Sequence, residues 1–108
     1  MDPAGWGDRA VLPQRRPHLV IQFEHDGQRY CGGYGVDQDL TIREIWLNSH
    51  KTSSFLDTVV CDAAVAVSIA LQHGAKIETL RSAMKRNPNG AAASPLGRLL
   101  DLIAEEPF

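Results

Sequence analysis

His50 to Gly74, HKTSSFLDTVVCDAAVAVSIALQHG, is the stretch whose reading decides the fold. It is the longest helix-compatible segment of the chain, and its signals predict a helix over about 54–73. Ser53 or Ser54 can accept from the open backbone N–H groups of a first turn. Asp57, three residues after Ser54, completes an approximate capping box and sets negative charge at the positive helix end. Gly74 supplies the left-handed stop, with His73 beside the last carbonyls. Steps of about 100° per residue collect Phe55, Leu56, Val59, Val60, Ala63, Val67, Ala70 and Leu71 on one face, predicted to meet the core. The other arc holds Ser54, Asp57, Thr58, Asp62, Ser68 and Gln72, but Cys61 and Val65 interrupt it and Ile69 borders it. A helix apolar in patches all round contacts something on both sides, so Cys61, Val65 and Ile69 are candidate interface residues.

Upstream, His18–Glu24 (HLVIQFE) is rich in β-branched and aromatic residues and predicts a strand over about 18–25. Asp26-Gly27 follows, a pair suited to the positive dihedrals of a two-residue hairpin turn. The partner strand, about 28–36, reads QRYCGGYGV, and its glycines indicate a bulge or a close approach of backbone at Gly32, Gly33 and Gly35. TIREIWL predicts a third strand over about 41–47, with Arg43, Ile45 and Leu47 on one face and Ile42, Glu44 and Trp46 on the other. Downstream, Ile77, Leu80 and Met84 mark a short helix over about 76–85. Arg86-Asn87-Pro88-Asn89-Gly90 breaks it. Ser94-Pro95 is a cap followed by proline in the first helical position. Leu96, Leu99, Leu100 and Ile103 then form a stripe predicting a helix over about 95–105, stopped by Pro107. Three strands followed by three helices predict an α+β domain over 18–108, an antiparallel sheet with helices on one face. Residues 1–17, rich in proline and charge, read as an extended leader in which Trp6 is a candidate for docking and Arg15-Arg16 a small basic spot.

The chain has 108 residues, 44% hydrophobic and 22% charged, the composition of one ordinary globular domain. A net charge of −2 and a pI near 6.0 disfavour a nucleic-acid partner. Two widely spaced cysteines and no apolar N-terminal stretch lead to the expectation of reduced thiols in a cytoplasmic protein. The apolar run at 59–71 is short for a bilayer and carries Asp62, so no membrane span is expected.

No complete catalytic motif is present. The cluster Cys31-Gly32-Gly33-Tyr34-Gly35 lacks both the Rossmann and the P-loop pattern and precedes a strand, so a bulged strand is the preferred reading over nucleotide binding. His18, His25, His50, His73, Cys31 and Cys61 offer no close ligand pair, and no metal or cofactor is expected, with a metal-binding domain retained as an alternative. Cys61 as a nucleophile would need a base, and His50 and His73 lie at opposite ends of its helix. Lys51, Thr52, Ser53 and Ser54, where strand passes to helix, are candidate anion- or nucleotide-binding residues, because N–H groups open at a helix start.

The run EIWL–NSHKTSS–FLDTVVCDAAVAVSIALQHGAKIETLRSAM resembles a segment of the C-terminal region of adenosylcobalamin-dependent ribonucleotide reductases and the small TSCPD domains associated with them. Glu44, Ile45, Lys51, Ser68–Gly74, Glu78 and Leu80 carry the resemblance, which spans roughly 18–104; the helix–Gly–helix phrase is its specific part. The cysteine motif that names the family is replaced here by Ala93-Ser94-Pro95-Leu96-Gly97. A metal role attached to it therefore does not carry over, and the reductase barrel is far larger than this chain. The resemblance implies a free-standing, non-catalytic relative of a reductase appendage, acting by homo-oligomerisation or on a larger enzyme subunit.

Overall fold

A computed structural model describes residues 18–51 and 54–105. The expected leader with Trp6, Arg15 and Arg16, the loop residues Thr52 and Ser53, and the expected stop at Pro107 lie outside the described residues. The architecture is the α+β arrangement read from the sequence. Strands β1 (His18–His25), β2 (Gln28–Val36) and β3 (Ile42–Ser49) form an antiparallel meander in the order β1-β2-β3, followed by helices α1 (Phe55–Gln72), α2 (Ile77–Ala83) and α3 (Pro95–Glu105). The ends differ from the expected ones by a residue or two, the usual fraying of element boundaries.

Asp26 and Gly27 take φ of 50° and 79°, the pair of positive values that a two-residue hairpin requires, so His25 faces Gln28 and the register runs back to His18 opposite Gly35. A bulge follows. Gly35 pairs with Glu44 but Val36 with Ile42, leaving Arg43 as the extra residue. The expected alternation of β3 holds from Glu44 onward, with Ile45 and Leu47 buried, and fails at Ile42, which the bulge returns to the core side. The displaced Arg43 donates through Nε to Asp37 (3.0 Å) and through Nη1 to the Leu71 carbonyl at the end of α1 (2.9 Å).

One sheet face carries the core. Tyr30, Tyr34, Val36, Ile45 and Leu47 pack against Val60, Ala64, Val67 and Leu71 of α1 and against Leu99, Leu100 and Ile103 of α3. Phe23 stacks on Tyr30 with ring centroids 5.5 Å apart. Ser94 caps α3 by accepting from Gly97 N–H (3.1 Å), with Pro95 in the first helical position.

Helix α2 buries none of its residues fully; Ile77 and Leu80 pack against the core at its margin, and charge ties the helix to α3. Asp101 of α3 accepts from Arg81 Nε of α2 (2.8 Å) and from Arg86 Nη1 and Nη2 (2.8 and 2.7 Å), which ties α2, the following turn and α3 together. The hydrogen bonds from Arg86, then Arg81, hold the Asp101 carboxyl at about 2, below its ordinary value near 4. A depressed folded value stabilises the fold above the unfolded value, and that contribution disappears as pH falls from about 4 through about 2. Both arginines are partly solvated, so the screened contribution is about 1–2 kcal/mol. Urea titrations should show Asp101→Asn less stable than wild type by that amount at pH 7, with a smaller decline between pH 4 and pH 2.

Candidate functional site

The edge of β3 determines how α1 sits. In the β2–β3 register Tyr34, Gly32 and Tyr30 lie opposite Ile45, Leu47 and Ser49. These are the non-hydrogen-bonded positions, so the backbone groups of Ile45, Leu47 and Ser49 point away from β2. Side chains of α1 meet them there. Ser68 Oγ accepts from Ile45 N–H and donates to Ile45 C=O, both at 2.9 Å. Cys61 Sγ donates to Leu47 C=O (3.2 Å), and Asp57 Oδ1 accepts from Ser49 N–H (2.8 Å). Asp57, Cys61 and Ser68, separated by four and seven residues, form one line along the helix.

This line turns the helix from the expected orientation. Phe55 and Val59, placed on the core face by apolar spacing, are 85% and 45% exposed, whereas Ser68 and Gln72, placed on the outer arc, are buried. The physical reason is the unpaired strand edge. A buried N–H or C=O without a partner costs more than an exposed valine, so the polar stripe turns inward. The outward side of α1 thus carries Phe55, Val59, Asp62, Val65 (57% exposed) and Ala66, with Ile69 half-buried at its margin. Of the three candidate interface residues, Val65 is exposed there, Ile69 borders the surface, and Cys61 is bonded to β3. By length and composition α1 could also cross a membrane, but here one of its sides is bonded to the sheet.

Among the described residues of the strand-to-helix loop, the Ser49 and Ser54 hydroxyls are used internally. Ser54 Oγ donates to Lys51 C=O (2.7 Å) and accepts from Asp57 N–H (3.0 Å), while Lys51 N–H donates to Ser49 Oγ (3.1 Å). Asp57 adds a carboxylate to the same first turn of α1. Thr52 and Ser53 of this candidate site lie outside the described residues.

The glycines of β2 lie where side chains cross the sheet closely. A Cβ at Gly32 would stand 3.0 Å from Leu99 Cδ1 on the core face. On the outer face the Trp46 indole covers Gly33 and the Glu44 side chain covers Gly35. His18 meets Trp46 edge to face, with centroids 6.0 Å apart.

Burial, then the charge of Asp57, pushes the Cys61 thiol above its ordinary value, and Asn48 Nδ2 donates to its sulfur (3.1 Å). It is a protonated hydrogen-bonding group, the opposite of an activated nucleophile. His25 Nε2 lies 3.2 Å from the Ala93 carbonyl, linking the hairpin to the start of α3. Among the described residues, no three His, Cys, Asp or Glu side chains converge as metal ligands. Grooves of about 400 and 390 Å³ flank α2, one between Leu40–Arg43 and Gly74–Glu78, the other between Ile77, Arg81, Leu100, Ile103 and Ala104. Their arginines, Arg43 and Arg81, are bonded to Asp37 and Asp101. Comparisons of this chain with protein-family models, with curated proteins and with solved structures give no match.

Proposed function

We propose that this chain is a non-catalytic, ribonucleotide-reductase-like small domain that acts by association, with itself or with a larger enzyme. The observation that carries the reading is the outer side of α1. Phe55, Val59 and Val65 stand exposed on a helix whose opposite side is bonded to β3, an apolar surface of the kind that marks contact sites. The Ser68–Gly74 phrase of the resemblance covers the last residues of the same helix and its stop. The protonated, hydrogen-bonded Cys61 supports a structural part for the thiol.

The test is retention of partners by the tagged chain, combined with light scattering, for wild type and the double variant Phe55→Ser/Val65→Asp. Both side chains are exposed, so the variant should melt within a few degrees of wild type. Through the α1 face wild type should hold a further copy or a reductase-sized polypeptide, and the variant should lose at least tenfold in its affinity for that α1-bound partner, about 1.4 kcal/mol. A wild type that retains nothing, or a variant that retains everything, rejects the α1 face.

A further inference from the structure

The two edges of the sheet are finished differently. The β3 edge is closed by Ser68, Cys61 and Asp57, as described above. The β1 edge is not. The register around Asp26-Gly27 makes Leu19, Ile21, Phe23 and His25 the positions bonded to β2, so the N–H and C=O groups of Val20, Gln22 and Glu24 point outward. Among the described residues no backbone group beyond the hairpin meets them. Strand β1 runs eight residues without proline, lysine or bulge, the features with which natural sheets blunt an edge. Val20 is 54% exposed. On the core face Leu19, Ile21 and Phe23 pack against the core yet stay half-buried, because the sheet ends beside them.

We infer that the β1 edge binds a second copy of this chain, β1 antiparallel to β1, about a two-fold axis at Ile21, joining the two sheets into one. The register follows from which groups are available. Residues with outward N–H and C=O must form the bonded pairs of the new ladder, so the axis falls on a residue between them or on one of them. At Ile21 the axis pairs Val20 with the partner's Gln22 and sets the His18 imidazole opposite the carboxylate of the partner's Glu24. On the core face it sets Leu19 against the partner's Phe23 and Ile21 against its own copy. On the outer face His18 meets the complementary Glu24 of the partner beside the mixed Val20–Gln22 pair, and on the inner face apolar meets apolar. An axis at Gln22 would put Glu24 against Val20, and an axis at Val20 would carry Phe23 beyond the first residue of the partner's β1. The surface is separate from the α1 face, which stays open in such a dimer.

The experiment is light scattering over a concentration series, with amide hydrogen exchange at both ends of it, on the full chain. Wild type should reach twice its 11.9 kDa at about 100 µM, well above a micromolar Kd. The amides of Val20 and Gln22 should then exchange at least tenfold more slowly than in dilute protein. Val20→Pro removes one outward N–H that the monomer does not use, a substitution edge strands accept; it should be monomeric with a wild-type circular dichroism spectrum. Phe55→Ser/Val65→Asp should remain dimeric. A strict monomer overturns the inference, as does a dimer indifferent to Val20→Pro. Loss of the dimer in the α1 variant alone moves self-association to α1. Protection of Val20 and Gln22 in a monomer at every concentration gives the edge to residues of the same chain and also overturns it. If Val20→Pro does not fold, the concentration dependence of the two wild-type amides decides alone.

Discussion

Ser68→Ala is expected to destabilise the fold by about 3 kcal/mol, although it removes a single oxygen. Ser68 is 9% exposed, and its hydroxyl serves both the donor and the acceptor of Ile45, so truncation leaves two backbone groups without partners in a closed setting. Each such orphan costs about 1–3 kcal/mol. For a domain of this size the midpoint of thermal unfolding should fall by about 15 °C, read by calorimetry. Ser68→Thr, which keeps the hydroxyl, should recover much of the loss. A midpoint within about 3 °C of wild type for Ser68→Ala would show that α1 is not held to β3 through this hydroxyl.

Gly33→Ala is expected to cost at least as much, more than about 3 kcal/mol, by the opposite route of overpacking. A methyl group at Gly33 would run into the carbonyl oxygen of Leu19 in the neighbouring strand and into the Trp46 indole. The strand backbone is fixed by the ladder and cannot yield without breaking it. Gly35→Ala is the informative control, because the atoms in its way belong to the Glu44 side chain, whose end can swing aside. Denaturant unfolding should place Gly35→Ala within about 1 kcal/mol of wild type, and Gly33→Ala well below both. Equal losses in the two variants would contradict the indole's position over Gly33.

What could be read in advance was whatever local chemistry decides. Asp26-Gly27 specifies its turn through its own dihedrals, Ser54 and Ser94 cap helices through their own hydroxyls, and the three strands and three helices follow. The orientation of α1 was not legible from apolar spacing, because the spacing weighs side chains and ignores the backbone they must serve. Phe55 and Val59 stand outside because Asp57, Cys61 and Ser68 are needed at an edge that becomes an edge only when the sheet forms. A signal existed: three short hydrogen-bonding side chains, four and seven residues apart, lie along one line of a largely apolar helix. Ile42 was misplaced for a similar reason, since the bulge between Gly35 and Val36 belongs to a pair of strands and to neither alone. The candidate loop at Lys51–Ser54 was legible as a helix start with Asp57 in its first turn, but not the bond that Asp57 accepts from Ser49 N–H of the strand.

The meander has a consequence for how the chain comes to be folded. Each strand pairs with the one made just before it, across connections of two and five residues, and α1 docks on the strand that immediately precedes it. Such short closures are entropically cheap and form on the microsecond scale or faster. The long closure is the last one, in which α3 returns to lay Leu99 against Gly32 in the middle of the sheet. During synthesis from the N-terminus, therefore, the hairpins and α1 can assemble early. The part of the core face beneath Leu99, Leu100 and Ile103 stays open until α3 has been made, so α3 governs when the fold becomes cooperative.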